Sequence, residues 1–419
     1  MKKFVKKILI FIYHIMARIL PLSMNKVMFM SNMGRNYSGN TRAIYEDMLK
    51  DARFDKKKKI WAFNGEYFDM VKKYGESLLP KGCKAVRYGG LKYYFHMATS
   101  GIWIFDTRQE PYLVKRKGAL YFMTWHGTQL KKLGLDMIQF NMAGENRDRD
   151  EYAQSFIKES AKWDYLIVQN DYSEAISAGA FGFKNTVLKI GYPRTDKLVR
   201  EGLGKDKGII GTDKANEAGK DKKERAYFPG KKKILVYAPT WRDDEYLGNG
   251  FYKVPSRPDF VKLEKALGDE YTIVLKLHYL VRINKGDIPQ SVIDSGFVRI
   301  CGNEIDINDL YLESDGVITD YSSLIFDYSV LERPIFFFCY DLENYRDILR
   351  GFYTDFEQLA PGPISLDEDE LIRDIKDNFE GRSTECLDKI RAFKKEHNKY
   401  DDGHVSERAL DVIAKHLGM

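Results

Sequence analysis

Two histidines stand where side chains can do chemistry. The first lies in Thr124-Trp125-His126-Gly127-Thr128-Gln129-Leu130, directly after the apolar run Ala119–Met123. A histidine titrating near neutral pH suits the task of deprotonating a hydroxyl, and general base catalysis of that kind contributes ~10²–10⁴ in rate. Gly127 permits close backbone approach, and the stretch after it reads as helix-like. The amides of Gly127, Thr128, Gln129 and Leu130 are therefore expected to form an anion-binding helix start. The structural alternative is a buried histidine that satisfies backbone carbonyls. The second histidine closes Lys276-Leu277-His278, at the end of the apolar run Thr272–Leu277. Strand alternation would send Lys276 and His278 to one face, where a cation and an imidazole could hold a diphosphate and supply charge or a proton to a leaving phosphate.

Further groups suited to phosphate contact sit at other strand ends. Pro239-Thr240-Trp241-Arg242 follows Ile234–Tyr237, placing a hydroxyl and a guanidinium there. Arg242 could instead pair with Asp243 or Asp244. Asp306 opens a segment that reads helix, turn, strand and second helix start, ending in Asp320-Tyr321-Ser322-Ser323. Ser322 and Ser323 are expected to cap that helix and to face a phosphate. Gly191-Tyr192-Pro193-Arg194-Thr195-Asp196 supplies Arg194 as a second phosphate clamp, with an Arg194–Asp196 ion pair as the structural alternative. There is no glycine-rich loop followed by Lys-Ser/Thr, no dinucleotide fingerprint and no paired metal-ligand histidines, which counts against ATPase, dehydrogenase and metallohydrolase chemistry.

The elements that must position these groups are short apolar runs alternating with longer helical patterns, an α/β organisation with parallel strands. The clearest strands are Lys26–Met30, Gly101–Phe105, Ala119–Met123, Tyr165–Val168, Val187–Ile190, Ile234–Tyr237, Thr272–Leu277, Gly316–Ile318 and Ile335–Phe338. Residues 201–233 are rich in Gly and Lys and mark a linker. The expected division is 1–25 as an amphipathic helix, 26–200 as a first domain, 201–233 as the linker, 234–395 as a second domain and 396–419 as a C-terminal helix. Each half carries a histidine at a strand end followed, 45 or 42 residues later, by a strand running into Asp-Tyr-Ser, at Asp171 and at Asp320. That layout suggests pseudo-symmetric halves. Ligands of open parallel sheets bind outside the carboxyl ends of the strands, so facing halves would bring both histidines to one cleft.

Charge is concentrated at one end. Residues 1–26 contain Lys2, Lys3, Lys6, Lys7, Arg18 and Lys26 and no acid; without these six the 67 Lys and Arg fall to 61, matching the 61 Asp and Glu. The net charge of +6 is thus local, which counts against a general nucleic-acid surface. The run Ile8–Leu22 is interrupted by His14 and Arg18 and falls short of the ~20 residues of a spanning helix. On a helix, Lys3, Lys7, His14 and Arg18 share one narrow stripe beside a broad apolar face, the pattern of a helix lying in the plane of an anionic membrane surface. Packing on the protein itself and a cleaved signal peptide are the alternatives. Cys83, Cys301, Cys339 and Cys386 are scattered, without zinc or disulfide spacing, as in a reducing cytosol.

Together, Trp125-His126-Gly127-Thr128 with Leu130-Lys131-Lys132-Leu133-Gly134, Gly191-Tyr192-Pro193-Arg194-Thr195-Asp196, Tyr237-Ala238-Pro239-Thr240-Trp241-Arg242, Leu275-Lys276-Leu277-His278 and Ile318-Thr319-Asp320-Tyr321-Ser322-Ser323 resemble the CDP-glycerol glycerophosphotransferase family of teichoic acid primases and polymerases. The resemblance runs from about residue 26 to 395 with the motifs in family order. It implies two Rossmann-like domains in a GT-B arrangement, the second binding CDP-glycerol or another CDP-polyol. It implies transfer of glycerol phosphate to a hydroxyl of a lipid-linked saccharide or polymer acceptor with release of CMP, by a peripheral enzyme on the cytoplasmic face of the membrane. His126 then corresponds to the base on the acceptor hydroxyl and His278 to the group assisting the diphosphate. Arg194, Pro239, Thr240, Lys276, Asp306, Ser322 and Ser323 correspond to nucleotide or phosphate contacts, and Leu277, Asp320 and Arg242 lie inside the same motifs. Gln129 and Tyr279 stand where the family commonly has proline. The chain lacks the extra N-terminal domain of long polymerases, which fits a primase-like or short-chain role. No cofactor or metal ligand set is visible, although a diphosphate can recruit Mg²⁺ with few protein ligands. A GT-B glycosyltransferase using a nucleotide sugar, and a non-catalytic nucleotide-binding scaffold, are the competing classes.

Overall fold

The computed structural model describes all residues except 1, 76–77, 81, 138–147, 203–224, 226, 243, 249–250 and 347–350. Most of the expected linker 201–233, including Ile209 and Ile210, and the Arg242 partner Asp243 therefore lie outside the described residues.

The first compact unit comprises residues 1–127, 150–196 and 400–419. Its strands are β1 (Ser23–Met30), β2 (Lys58–Phe63), β3 (Lys84–Arg87), β4 (Ser100–Phe105), β5 (Leu120–Met123), β6 (Tyr165–Val168) and β7 (Thr186–Lys189). They form one parallel sheet in the order β3-β2-β1-β4-β5-β6-β7. Alternate residues Val27, Phe29, Trp61, Phe63, Ile102, Ile104, Leu120 and Phe122 pack on one face, and Met28, Met30, Ile60, Trp103, Tyr121 and Met123 are buried as well. Burial on both faces is why these strands read as continuous apolar runs.

The second unit comprises residues 128–149 and 197–399. Its strands are β8 (Lys233–Tyr237), the antiparallel ribbon β9 (Tyr246–Gly248) and β10 (Phe251–Tyr252), β11 (Tyr271–Leu275), β12 (Val298–Ile300), β13 (Gly316–Thr319), β14 (Ile335–Phe338) and β15 (Ile364–Ser365). Its parallel sheet runs β12-β11-β8-β13-β14-β15. With the ribbon set aside, both sheets follow the doubly wound order 3-2-1-4-5-6, which β7 extends by one strand in the first.

The two sheets share this order, as expected of halves with one layout, but the matched motifs do not occupy equivalent positions in it. His126 follows the fifth strand of its sheet and His278 the second of its own. Asp171 follows the sixth strand and Asp320 the fourth. Similar spacing in the chain thus falls on unequal positions in the fold. The expected boundaries also shift. Residues 128–149 group with the second unit and 400–419 with the first. The expected helix over 396–419 is observed as Val405–His416, preceded by Glu385–His397. Ala409, Leu410, Ile413 and Ala414 are buried in the first unit's core, and Asp196 holds this helix by accepting from the Val405 and Ser406 amides at 2.9 and 2.7 Å.

The N-terminal helix spans Lys2–Ile19 and packs on helix Leu91–Thr99. Tyr13 and Ala17 are buried, and the Tyr13 hydroxyl both donates to the Val114 carbonyl and accepts from the Val114 amide. Phe4, Ile8, Phe11, Ile15 and Ile19, spaced three or four apart, form an outward ridge with Phe4 68%, Phe11 66% and Ile19 72% exposed. The broad apolar face expected from the sequence is thus divided between a packed side and a ridge open to solvent. Among the described residues no helix is long and apolar enough to cross a membrane.

Candidate active site

In the first unit the site is built at the C-terminal edge of the sheet. β5 ends at Met123, and three residues later His126 emerges from a turn that Trp125 makes in the left-handed region, with φ 51°. That conformation is uncommon for a bulky residue and persists only where its surroundings hold it. Asn40, itself buried, supplies the hold: its amide donates to the Thr124 and Trp125 carbonyls at 3.2 and 3.1 Å, and its oxygen accepts from the Arg194 amide at 3.2 Å. The Trp125 ring packs against Phe181 at 4.4 Å.

His126 Nδ1 lies 2.7 Å from the Asp106 carbonyl oxygen. The carbonyl can only accept, so Nδ1 carries the proton and Nε2 presents a lone pair. Packing around the ring pushes its pKa down to about 4, against the pull of the Asp106 carbonyl and with help from the Arg194 and Arg108 cations, although the residue as a whole is exposed. The imidazole is therefore a neutral acceptor through the physiological range. Asp106 has its carboxyl pushed up to about 7 by burial, against the Asn32 amide that donates to it at 2.8 Å.

Arg194 does not stand as an isolated clamp. Its guanidinium donates to the His126 carbonyl at 2.7 Å, and Asp196, the expected ion-pair partner, is engaged by the C-terminal helix. Gly191, at φ 89°, has no room for a Cβ, which would come 2.8 Å from both the Asp401 carboxylate and the Tyr400 carbonyl. Asp401 in turn accepts from the Tyr192 amide and the Thr195 hydroxyl, each at 2.9 Å. The Gly191–Asp196 motif is a braced turn that carries Arg194 to His126.

The helix start expected at Gly127–Leu130 is absent. Thr128, Gln129 and Leu130 are buried in an irregular segment, and the next helical turn is Gly134–Asp136. Within the second unit the segment pairs with residues 351–353, the Lys132 amide donating to Gly351 at 3.2 Å and the Tyr353 amide to Leu130 at 3.1 Å.

In the second unit, β11 ends at Leu275, so Lys276 and His278 lie beyond the strand rather than on its face. The Lys276 ammonium donates to the Gly302 and Ile305 carbonyls at 2.5 and 2.8 Å and braces the turn before Asp306. Leu277 belongs to the apolar core. Asp306 caps helix Ile307–Glu313, accepting from the Asn308 amide at 2.9 Å. His278 Nδ1 accepts from the Leu280 amide at 3.3 Å, so in the neutral ring Nε2 carries the proton. Its ring lies 4.4 Å from that of Trp241.

Arg242 is only 2% exposed. Its guanidinium donates to Asp320 at 2.8 Å and to Asp341 at 2.6 and 3.0 Å, among the rings of Tyr321, Tyr340 and Tyr345. Burial works against the charge, yet Asp320 and Asp341 hold the guanidinium well above its ordinary value. Asp320 also accepts from the Thr240 amide at 2.9 Å. Arg242 and Asp320 thus fix the Pro239–Arg242 loop instead of facing a ligand. Neither serine caps a helix: the helical residues are Ile325–Tyr328 with Leu324 at the cap, and Ser322 Oγ accepts from the Leu324 amide at 3.4 Å. Ser322, Ser323, Lys276 and His278 are all half-buried.

Sequence reasoning did not find Asn40, Asp106 or Asp341. Asp106 carried a usable signal, since it directly follows the apolar run ending at Phe105. Asn40 and Asp341 carried none. All four cysteines are free thiols. Among the described residues no group of three His, Cys, Asp or Glu could hold a metal ion.

The family model for CDP-glycerol:poly(glycerophosphate) glycerophosphotransferase matches residues 12–415. The chain is 39% identical over 361 residues to the teichoic acid poly(glycerol phosphate) polymerase of Bacillus subtilis (strain 168), covering 86% of this chain and 45% of that protein's length. It is 36% identical over 396 residues to the teichoic acid glycerol-phosphate transferase of Staphylococcus aureus (strain NCTC 8325 / PS 47), covering 93% of each. The solved wall teichoic acid polymerase TagF superposes with a TM-score of 0.81 at 32% identity, over 99% of this chain and 94% of that one.

Proposed function

The chain belongs to the CDP-glycerol:poly(glycerophosphate) glycerophosphotransferase family, and on that premise we propose that it transfers glycerol phosphate from CDP-glycerol to a hydroxyl of a lipid-linked acceptor in the synthesis of teichoic acid or a related cell-surface polymer. The observation that carries this reading is the opposite tautomers of the two histidines: Nδ1 of His126 donates to a carbonyl, leaving Nε2 with a lone pair that can take a proton, while Nδ1 of His278 accepts from an amide, leaving the proton of the neutral ring on Nε2. One step uses both. The acceptor oxygen gives its proton to His126 and forms a bond to the phosphorus of glycerol phosphate; the bond from that phosphorus to the CMP oxygen breaks, and CMP leaves with the electron pair. His278 would meet the negative charge that grows on the diphosphate.

In a GT-B reading the first unit serves the acceptor and the second the donor, with Thr240, Ser322 and Ser323 near the donor phosphates. One solved form of TagF was soaked with CDPG, which supports a CDP-polyol donor here. Mg²⁺ belongs to this reading as a companion of the donor diphosphate, which can recruit it with few protein ligands. The outward ridge on the N-terminal helix, with Lys7 and Arg18 exposed beside it, supports peripheral attachment to an anionic membrane at its cytoplasmic face. A donor screen of CDP-glycerol, CDP-ribitol and UDP-sugars tests the reading. CMP release with CDP-glycerol supports it, and turnover confined to a UDP-sugar would replace it with a glycosyltransferase.

A further inference from the structure

A half-open cavity of about 410 Å³ lies beneath the N-terminal helix, walled by Val5, Lys6 and Leu9 of that helix and by Tyr88, Tyr94 and Tyr112. Its size falls within the ~300–1,000 Å³ of small-ligand pockets. The tyrosine hydroxyls have partners within the protein: Tyr94 and Tyr112 Oη lie 3.1 Å apart, and the Tyr88 hydroxyl donates to Glu110 at 3.4 Å. What remains is an apolar lining with one cation, the Lys6 ammonium, 3.6 Å from Glu110 and 5.6 Å over the Tyr112 ring.

Three observations select the occupant. Val5 is 47% exposed and connects the cavity to the outward ridge of Phe4, Ile8 and Phe11, so an apolar chain can enter from the same apolar surface. Residues 1–26 hold six cations and no acid, which complements an anionic lipid head. Tyr88 directly follows β3 and Tyr112 lies in the segment after β4, so the cavity sits on the same C-terminal edge of the sheet as His126 after β5. From β3 to β5 is four strand spacings, ~19 Å. A chain joined to the acceptor head group would have to lie within reach of the edge that carries His126, and this cavity does.

We propose that this cavity binds the hydrocarbon chain of the lipid-linked acceptor, leaving its polar head to run along the sheet edge toward His126. The proposal rests on the acceptor reading given above. The test uses the full chain, CDP-glycerol and two acceptors that carry one saccharide on either a long isoprenoid or a short water-soluble alkyl chain. The wild-type KM should be about tenfold or more lower for the long chain, the scale of discrimination that a hydrophobic pocket supplies. In Leu9→Asn, and in Tyr112→Ser as a second variant off the helix, the ratio of the two KM values should fall toward one, while both variants still sediment with phosphatidylglycerol/phosphatidylcholine vesicles. An unchanged ratio in the variants would overturn the proposal, as would equal wild-type KM values or loss of the long-chain advantage on adding short-chain phosphatidylglycerol. If the wild type uses neither acceptor but binds vesicles, the functional reading fails first and the cavity proposal with it.

Discussion

The His126 imidazole donates through Nδ1 to the carbonyl oxygen of Asp106 at 2.7 Å, a backbone partner that no side-chain substitution removes. The strand end therefore sets the tautomer, and burial sets the pKa, pushed down to about 4. Because kcat/KM reports the free enzyme, its acid limb should fall near pH 4 to 5 rather than near the ordinary histidine value of ~6.5. A pH–rate profile checks this, and an acid limb at or above 6.5 would show that burial does not control the ring.

The same shifts bear on stability with opposite signs. Below about pH 6.5 the unfolded chain binds a proton at His126 that the folded chain refuses down to about 4, so this group's contribution to stability is lost as pH falls through that window. Asp106 keeps its proton in the fold up to about 7, so its contribution declines as pH rises from about 4 to 7. Asp106→Asn should retain activity, since an amide oxygen can still accept from Asn32, and should gain stability relative to the wild type as pH rises across that range. Melting temperatures between pH 4 and 8 give the answer; a gain that shrinks with pH would contradict the assignment.

Asn40 joins three backbone groups around the histidine turn. Asn40→Ala leaves buried carbonyls and an amide unmatched, at a cost of about 1–3 kcal/mol. With Trp125 held at φ 51° by these contacts, the loss should reach His126. We expect kcat to fall at least tenfold while CDP-glycerol affinity, measured by calorimetry, is retained. A change in affinity with kcat preserved would assign Asn40 to the donor side instead.

The trio of buried Arg242 and Asp320 with half-buried Asp341 makes a different prediction. Arg242→Met leaves two carboxylates without their cation, and breaking a buried pair from one side costs about 3–5 kcal/mol. Arg242→Lys should recover little, because an ammonium cannot fork to both acids as the guanidinium does. Denaturant melts decide this; full stability in Arg242→Lys would show that charge alone suffices.

How far the sequence could be read follows from where each partner lies in the chain. β6 and β14 were legible to the residue because burial on both faces leaves uninterrupted apolar runs. β3, β12 and β15 are short edge or near-edge strands that carry Lys84, Arg87 and Arg299, and pairing with a neighbour rather than pattern makes them strands. His126 and His278 were legible because each sits where an apolar run stops. Their bracing was not: Asn40 acts across 84 residues and Asp341 across 99, distances over which only the folded sheet order brings groups together. The Asp-Tyr-Ser repeat misled because similar spacing does not record which strand it follows.

The N-terminal helix supports a prediction about location. Replacing Phe11 and Ile15 of the exposed ridge by Ser, or Lys7 and Arg18 by Glu, should weaken sedimentation with anionic vesicles at least tenfold, since each surface cation contributes about 1 kcal/mol near such a membrane. CDP-glycerol binding should be spared. Unchanged sedimentation in both pairs of variants would mean that the basic leader serves something other than a membrane.

Mass spectrometry of the product formed from CDP-glycerol and a lipid-linked disaccharide, run in parallel for the wild type and His126→Ala, bears most directly on the proposed chemistry. We expect the wild type to add glycerol phosphate with stoichiometric CMP, and His126→Ala to lose about 10²-fold or more of that rate. Product accumulating at an undiminished rate in His126→Ala would contradict the assignment of His126 as the base.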